Sequence, residues 1–275
     1  MKAKNEKNVL TFLGTGGGGS VVYSQARASG GMHLVLDGKA FIIDPGPGSI
    51  VWFRKMKLEE PDILLLSHLH PDHSTDANVY IDGMKQPIII AEKHCFEESE
   101  DYHPCISRYH QKKASAFYKV TGGEEIKIPE SNIKIFITRS NHYAPTVGFK
   151  ILGSRTIGYV SDGSYFENME KQFEECNLII MNVLVPYRKK EKEKKHMSIE
   201  GAIKFINGLN KKPELLIIQH FSFWMLRNNV YKQARILEEN TNVKTIAAKD
   251  FMQIDLNSLK IMENKKIENS LSNFF

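Results

Sequence analysis

Cysteine is scarce in this chain. Three occur in 275 residues, Cys95, Cys105 and Cys176, at scattered positions. That excludes a disulfide framework and favours a reducing, cytoplasmic setting. Long apolar runs are missing as well. Val9 to Leu13 gives way to glycines, too short a stretch for the core of a signal peptide. No run approaches the roughly 20 residues of a membrane span, so a membrane is not an expected partner. No linker rich in Pro, Gly or Ser divides the chain, which favours one layered α/β domain over residues 1–258 with a polar tail at 259–275, expected to be disordered. Neither sign of charge dominates. Lys and Arg number 37 against 32 acids, a net +5 that fits an anionic substrate and excludes little. The 41% hydrophobic content is ordinary for a globular protein, and the length allows a sizeable core.

What is present is a dense metal-capable motif. Ser67-His68-Leu69-His70-Pro71-Asp72-His73 places four such side chains within six positions, and three of the ten histidines lie here. The motif follows Ile63-Leu64-Leu65-Leu66, a short apolar run bounded by Pro61-Asp62 and Pro71, which reads as a buried strand. The histidines then sit on the loop at the strand's carboxyl end, where open α/β sheets place ligands. Imidazoles and carboxylates at this density suit zinc, manganese or iron.

The coarse reading is a strand at 9–13 ending in the glycine run 14–19, then a hairpin with 34–36 and 40–44 joined by Asp37-Gly38. The glycine run lacks a Gly-Lys-Ser/Thr ending and is followed by a hairpin rather than a helix, which excludes phosphate-loop and dinucleotide fingerprints. Its expected purpose is close backbone approach. Further strands are predicted at 63–66, 88–90, 133–138, 147–152, 156–160, 178–183, 215–219, 243–247 and 251–254. Helices are predicted at about 49–57, 73–81, 166–176, 198–207 and 229–239. Residues 92–120 are polar with an amphipathic stretch at 106–118, compatible with a lid or a homodimer contact. Their His94, Cys95, His103, Cys105 and His110 match no standard zinc spacing.

Three later residues follow predicted strands: His142, Asp162 and His220. If their strands share a sheet with 63–66, all the ligands reach one rim. His68, His70, Asp72, His73, His142, Asp162 and His220 exceed the needs of one four-coordinate ion. They suffice for two ions, roughly 3.5–4 Å apart, with a shared carboxylate and a bridging water that loses its proton near neutral pH.

His68-Leu69-His70-Pro71-Asp72-His73 resembles the His-x-His-x-Asp-His signature of the metallo-β-lactamase superfamily, and the spacing to His142, Asp162 and His220 fits its later motifs. The resemblance runs from Leu13 to about Asp255. Leu13-Gly14-Thr15-Gly16-Gly17, Phe41-Ile42-Ile43-Asp44-Pro45-Gly46, and His196-Met197-Ser198 with His220-Phe221-Ser222 look like the tRNase Z-like phosphodiesterase branch. It implies an αββα sandwich with a dinuclear zinc site at the edge between the sheets. By position, His68, His70 and His142 hold the first metal. Asp72, His73 and His220 hold the second, and Asp162 bridges. Asp72 is also implied as a proton handler. His196 is implied to stand near the leaving group as a hydrogen-bond or proton donor.

One departure matters. The tRNase Z arm that grips tRNA lies between the motifs matching His142 and Asp162, and here some twenty residues with two predicted strands leave no room for it. The expectation is therefore a metal-dependent phosphodiesterase of a small diester such as a cyclic nucleotide. The alternatives are an armless tRNA 3′-end endonuclease and a hydrolase of lactones, thioesters or β-lactams. The basic run at 187–195, ending at His196, supplies cations that attract phosphate.

Overall fold

The computed structural model describes residues 7–187 and 195–262. The seven residues between those segments, from the basic run, and most of the expected tail lie outside the described residues.

Two sheets carry the fold. In the first, β1 (Val9–Phe12), β2 (Met32–Leu36), β3 (Lys39–Ile43), β4 (Ile63–Leu66), β5 (Ile88–Glu92) and β6 (Ala116–Val120) lie side by side in chain order. In the second, β7 (Glu125–Lys127), β8 (Lys134–Arg139), β9 (Val147–Leu152), β10 (Thr156–Val160), β11 (Leu178–Asn182), β12 (Leu215–Gln219) and β13 (Thr245–Ala247) do the same. The chain then returns to the first sheet, where β14 (Gln253–Asp255) pairs with β1 and β15 (Lys260–Ile261) with β14. Both sheets begin antiparallel and end parallel, with the change at β3–β4 in one and β10–β11 in the other. The two halves of the chain thus share one plan.

Side-chain alternation explains the layers. Ile63 and Leu65 of β4 face the second sheet in a core with Phe41, Ile137, Phe149 and Ile217. Leu64 and Leu66 face the other way, under α2 (Ser49–Lys55) and α4 (Ala77–Gly83). A parallel strand covered on both faces is apolar throughout, which is why 63–66 shows no polar alternation. On the far side, Ile179, Met181, Leu216 and Ile218 pack under α6 (Ile199–Gly208) and α8 (Val230–Thr241). The result is the four-layer αββα arrangement. Among the described residues no helix is long and apolar enough to cross a membrane, and the three cysteines form no disulfide.

Several local expectations need correction. The glycine run is followed by a short helix, α1 (Gly19–Ser24), before the hairpin. The helix expected at 73–81 is two pieces, α3 (Pro71–Ser74) and α4, with Pro71 at the first turn. The helix expected at 166–176 is a 3-10 stretch at Met169–Phe173. The amphipathic stretch 106–118 divides into α5 (Arg108–Lys113) and the edge strand β6, whose Ala116-Phe117-Tyr118 alternates in exposure as a half-covered strand does. Strand β7 and helix α7 (Phe223–Arg227) went unforeseen, and β15 orders the start of the expected tail.

Candidate metal centre

The seven singled-out side chains do converge, but not on one sheet. Strand β4 belongs to the first sheet, while β8, β10 and β12 belong to the second, where they run in the same direction. The carboxyl rims of the two sheets meet, and the Val147 N–H of β9 donates to the Ser67 carbonyl at 3.0 Å across the seam. The site is built on that seam.

One set of nitrogens is held from behind. His68 Nδ1 lies 3.0 Å from Ser67 Oγ, leaving Nε2 to face His70 Nδ1 at 3.0 Å. His142 Nδ1 lies 3.0 Å from the Lys195 carbonyl, leaving its Nε2 3.3 Å from the same His70 nitrogen. Burial lowers the pKa of both His68 and His70, and neighbouring histidines add to it. Neutral rings offering lone pairs are what a cation requires.

Asp72, His73 and His220 form a second set. His73 Nδ1 sits 3.0 Å from Asp44 Oδ2, so Nε2 points into the site. That Nε2 and His220 Nε2 are buried without a hydrogen-bond partner. The His73 nitrogen stands 3.8 Å from Asp72 Oδ2 and 3.7 Å from Asp162 Oδ1. The His220 nitrogen stands 3.6 Å from Asp72 Oδ2 and 3.3 Å from Asp162 Oδ2. Buried unpaired nitrogens are costly and uncommon. Here they flank carboxylates at spacings that a cation between them would satisfy, so the donor set fits divalent-metal binding.

Asp162 lies between the sets, within reach of His68 and His73 on one side and His142 and His196 on the other. Asn182 Nδ2 donates to its Oδ1 at 2.8 Å. Burial acts to raise its carboxyl, but His220 and His73 hold it well below the usual carboxylate range. Asp72 shows the same balance more mildly, with burial opposed by His73 and His220. Burial acts to lower His73, yet Asp72, Asp162 and Asp44 raise it well above the ordinary value. His196 Nδ1 is 3.8 Å from Asp162 Oδ2, and its ring is 4.9 Å from that of His142.

The supporting residues were given no role in the sequence reading. Buried Asp44 accepts from the Ser67 N–H at 2.7 Å, Ser67 Oγ at 2.6 Å and the Tyr159 hydroxyl at 2.7 Å, besides orienting His73. Asn182 Nδ2 also donates to Tyr159 Oη at 3.1 Å, and Gln219 Nε2 donates to Asn182 Oδ1 at 3.0 Å. Such outer contacts fix ring orientation at metal sites. The available signal was Asp44 itself, an acid closing an apolar strand before Pro45-Gly46. Within the glycine run the expected close approach holds at Gly17, where a Cβ would stand 2.4 Å from His220 Cδ2, and not at Gly19, where one meets nothing within 4 Å; outside the run, a Cβ on Gly46 would stand 2.2 Å from the Asp72 carbonyl oxygen. The Gly18 N–H donates to Asp72 Oδ2 at 3.3 Å.

A histidine and aspartate cluster on the seam of an αββα sandwich defines the metallo-β-lactamase fold. A family model for the beta-lactamase superfamily domain matches residues 39–221, and the chain belongs to that superfamily. It is 30% identical over 259 residues to the uncharacterized protein MJ1374 of Methanocaldococcus jannaschii, covering 90% of this chain and 94% of that protein. Solved structures share the fold at lower identity. The metallo-beta-lactamase fold protein YhfI of Bacillus subtilis superposes with a TM-score of 0.72 at 17% identity, covering 90% of this chain and 98% of that one. A diphosphatase of the PhnP family gives 0.66 at 16%, covering 94% and 100%. The short form of human tRNase Z gives 0.62 at 19%, covering 90% and 98%.

Proposed function

We propose that this chain is a phosphodiesterase of small diesters that works with two divalent ions, zinc being the best fit to the nitrogen-rich donors. His68, His70 and His142 would hold one ion, Asp72, His73 and His220 the other, and Asp162 both. The observation that carries the reading is His196, a histidine outside the seven that stands 3.8 Å from the shared carboxylate and also borders a cavity. Bound divalent ions supply Lewis-acid polarisation of the phosphoryl group and acidify water near neutral pH.

The chain's own residues do the rest. Asp44, Ser67 and the Lys195 carbonyl hold three rings in one orientation, so little reorganisation is needed as charge develops. Water attacks phosphorus, its proton passing to Asp72, and the bond to the leaving oxygen breaks. His196 gives that alkoxide a proton, which a poor leaving group needs.

Substrate size follows from the connection between β9 and β10. It is three residues, 153–155, with no room for an arm. An extended chain spans at most about 3.3–3.6 Å per residue, so this turn cannot reach a distant tRNA feature. The test is a panel on reconstituted protein at physiological salt: bis(p-nitrophenyl) phosphate, cyclic mononucleotides, precursor tRNA, a lactone and a thioester. Small diesters should give the highest kcat/KM. Clean 3′ cleavage of precursor tRNA at a far higher kcat/KM would replace this reading with the endonuclease, and turnover of the carboxyl compounds alone would replace both.

A further inference from the structure

Beside the cluster lies a cavity of about 440 Å³ that the chemistry above does not use. That volume suits a small organic ligand. Its inner wall touches the metal centre through Gly18, whose N–H meets Asp72, and through His196. Its side is apolar, formed by Leu184 and the ring of Phe223. Its outer end carries Trp224, 38% exposed, and the exposed Arg227, whose guanidinium lies 5.8 Å over the Phe223 ring. Trp224 and Arg227 lie on α7 and its C-terminal turn, in a helix seated by Ser222, whose Oγ accepts from the Met225 N–H and donates to the Leu184 carbonyl. Among the described residues no carboxylate lines the space. The indole offers a flat ring a stacking face, and the guanidinium favours an arm that presents acceptor atoms.

We propose that this cavity is the subsite for the nucleoside arm of the diester, with the base stacked on Trp224 and its acceptor edge toward Arg227. The assignment rests on the phosphodiesterase reading. The order of groups supports it: cluster, then His196, then cavity. An arm leaving the phosphorus toward the cavity passes the group that would protonate its oxygen. Base–aromatic stacking contributes about 1–3 kcal/mol per base, enough to set selectivity by itself.

The chain has two tryptophans, and Trp52 packs away from the site against Phe251. Trp52→Phe therefore makes Trp224 the sole indole reporter. Titrating zinc-loaded Trp52→Phe protein with AMP should change the emission saturably, and ribose 5-phosphate should not. Adding Arg227→Ala should weaken the AMP response roughly tenfold. In parallel, kcat/KM for the methyl ester of a nucleoside 5′-phosphate, followed by nucleoside release, should exceed that for the methyl ester of ribose 5-phosphate, followed by ribose release. Trp224→Ala should lower that ratio by roughly tenfold, the lower part of the stacking range. Equal responses to AMP and ribose 5-phosphate, or an unchanged ratio in Trp224→Ala, overturn the subsite even if both esters are cleaved. A specific AMP response with neither ester cleaved upholds the subsite and removes the phosphodiesterase reading instead.

Discussion

Replacing Gly17 by alanine tests how tightly the glycine loop holds the metal centre. The added Cβ would lie 2.4 Å from His220 Cδ2, 2.5 Å from its Cγ and 2.6 Å from its carbonyl carbon. Carbon atoms prefer about 3.5–4.0 Å, so roughly 1 Å of separation must be found. The loop cannot simply lift away. The Phe221 N–H donates to the Thr15 carbonyl at 2.8 Å and the Gly17 N–H to the Phe221 carbonyl at 3.1 Å. Thr15 is held in turn by Asp250, whose Oδ1 accepts its N–H at 2.9 Å. Gly17 does not occupy the left-handed region, so alanine meets a steric obstacle and no backbone penalty. Because the third contact is backbone, turning the ring alone does not clear it, and the His220 ring and its backbone must shift together. A displacement of about 1 Å at a reacting centre costs around 10²-fold in rate, about 2.7 kcal/mol. Gly17→Ala should therefore lose one ion on elemental analysis after reconstitution and about 10²-fold in kcat/KM on bis(p-nitrophenyl) phosphate. Gly19→Ala is the control, since a Cβ there meets nothing within 4 Å and should leave metal content unchanged. Full metal content and native turnover in Gly17→Ala would refute the reasoning.

Asp162→Ala should reduce metal content below two ions per chain and abolish turnover while circular dichroism stays native, because the strands are held by their apolar faces; unchanged activity would remove Asp162 from the site. His196→Ala should retain its metal yet lose about 10²–10⁴-fold in rate, with a smaller loss for a p-nitrophenolate leaving group; loss of metal would make it a ligand, and an equal loss for good and poor leaving groups would make it a positioning residue. His33 offers a pH test away from the site. Burial pushes its pKa down to about 4, against the opposing pull of the Glu59 carbonyl and Glu60. The unfolded chain then binds a proton between about pH 6.5 and 4 that the folded chain refuses, so stability present above 6.5 is lost as pH falls to about 4 and levels off below. The span is of order 3 kcal/mol, and urea unfolding of His33→Phe should lack that slope; a matching slope in both proteins would assign the pH dependence elsewhere.

How much of this was legible depended on range along the chain. The run 63–66 and its histidines could be read together because one strand end carries four of the residues. Asp162 and His220 could be found because each follows a mainly apolar run, buried but for Thr156 at the start of β10, and Asp37-Gly38 marked its turn through two positive φ angles, 49° and 75°. Sheet membership was not legible, because nothing local tells β4 that its partners across the seam are β8, β10 and β12. The network behind the ligands was hidden for the same reason. Asp44 and Tyr159 are 115 residues apart, and a tyrosine inside a strand looks like any core aromatic. The strand β6 was lost because five alternating residues beside a six-residue polar helix fit an amphipathic helix equally well.

The seam explains why the site needs both halves. His68 and His70 come from the end of β4 while His142 follows β8, and Asp72 and His73 come from the first half while His220 follows β12. The second half also brings His142, Asp162 and His196 together, but the two proposed ion sets each draw on both halves. So does the network behind them, since Asp44 of the first half holds Tyr159 of the second. A cation bound by either set therefore ties the two sheets together, and its binding free energy adds to the stability of their contact. The dependence also runs the other way. The nitrogens must stay within a few tenths of an ångström of their places, so the packing of Phe41, Leu65, Ile137 and Phe149 between the sheets sets the donor geometry. Two of the residues at the rim, Asp44 and His220, sit in the left-handed region with φ of 47° and 62°. A non-glycine residue there is uncommon and carries a modest penalty. At the carboxyl ends of β3 and β12 that conformation turns the chain sharply, which lets a residue directly after a buried strand address the seam instead of continuing along its own sheet.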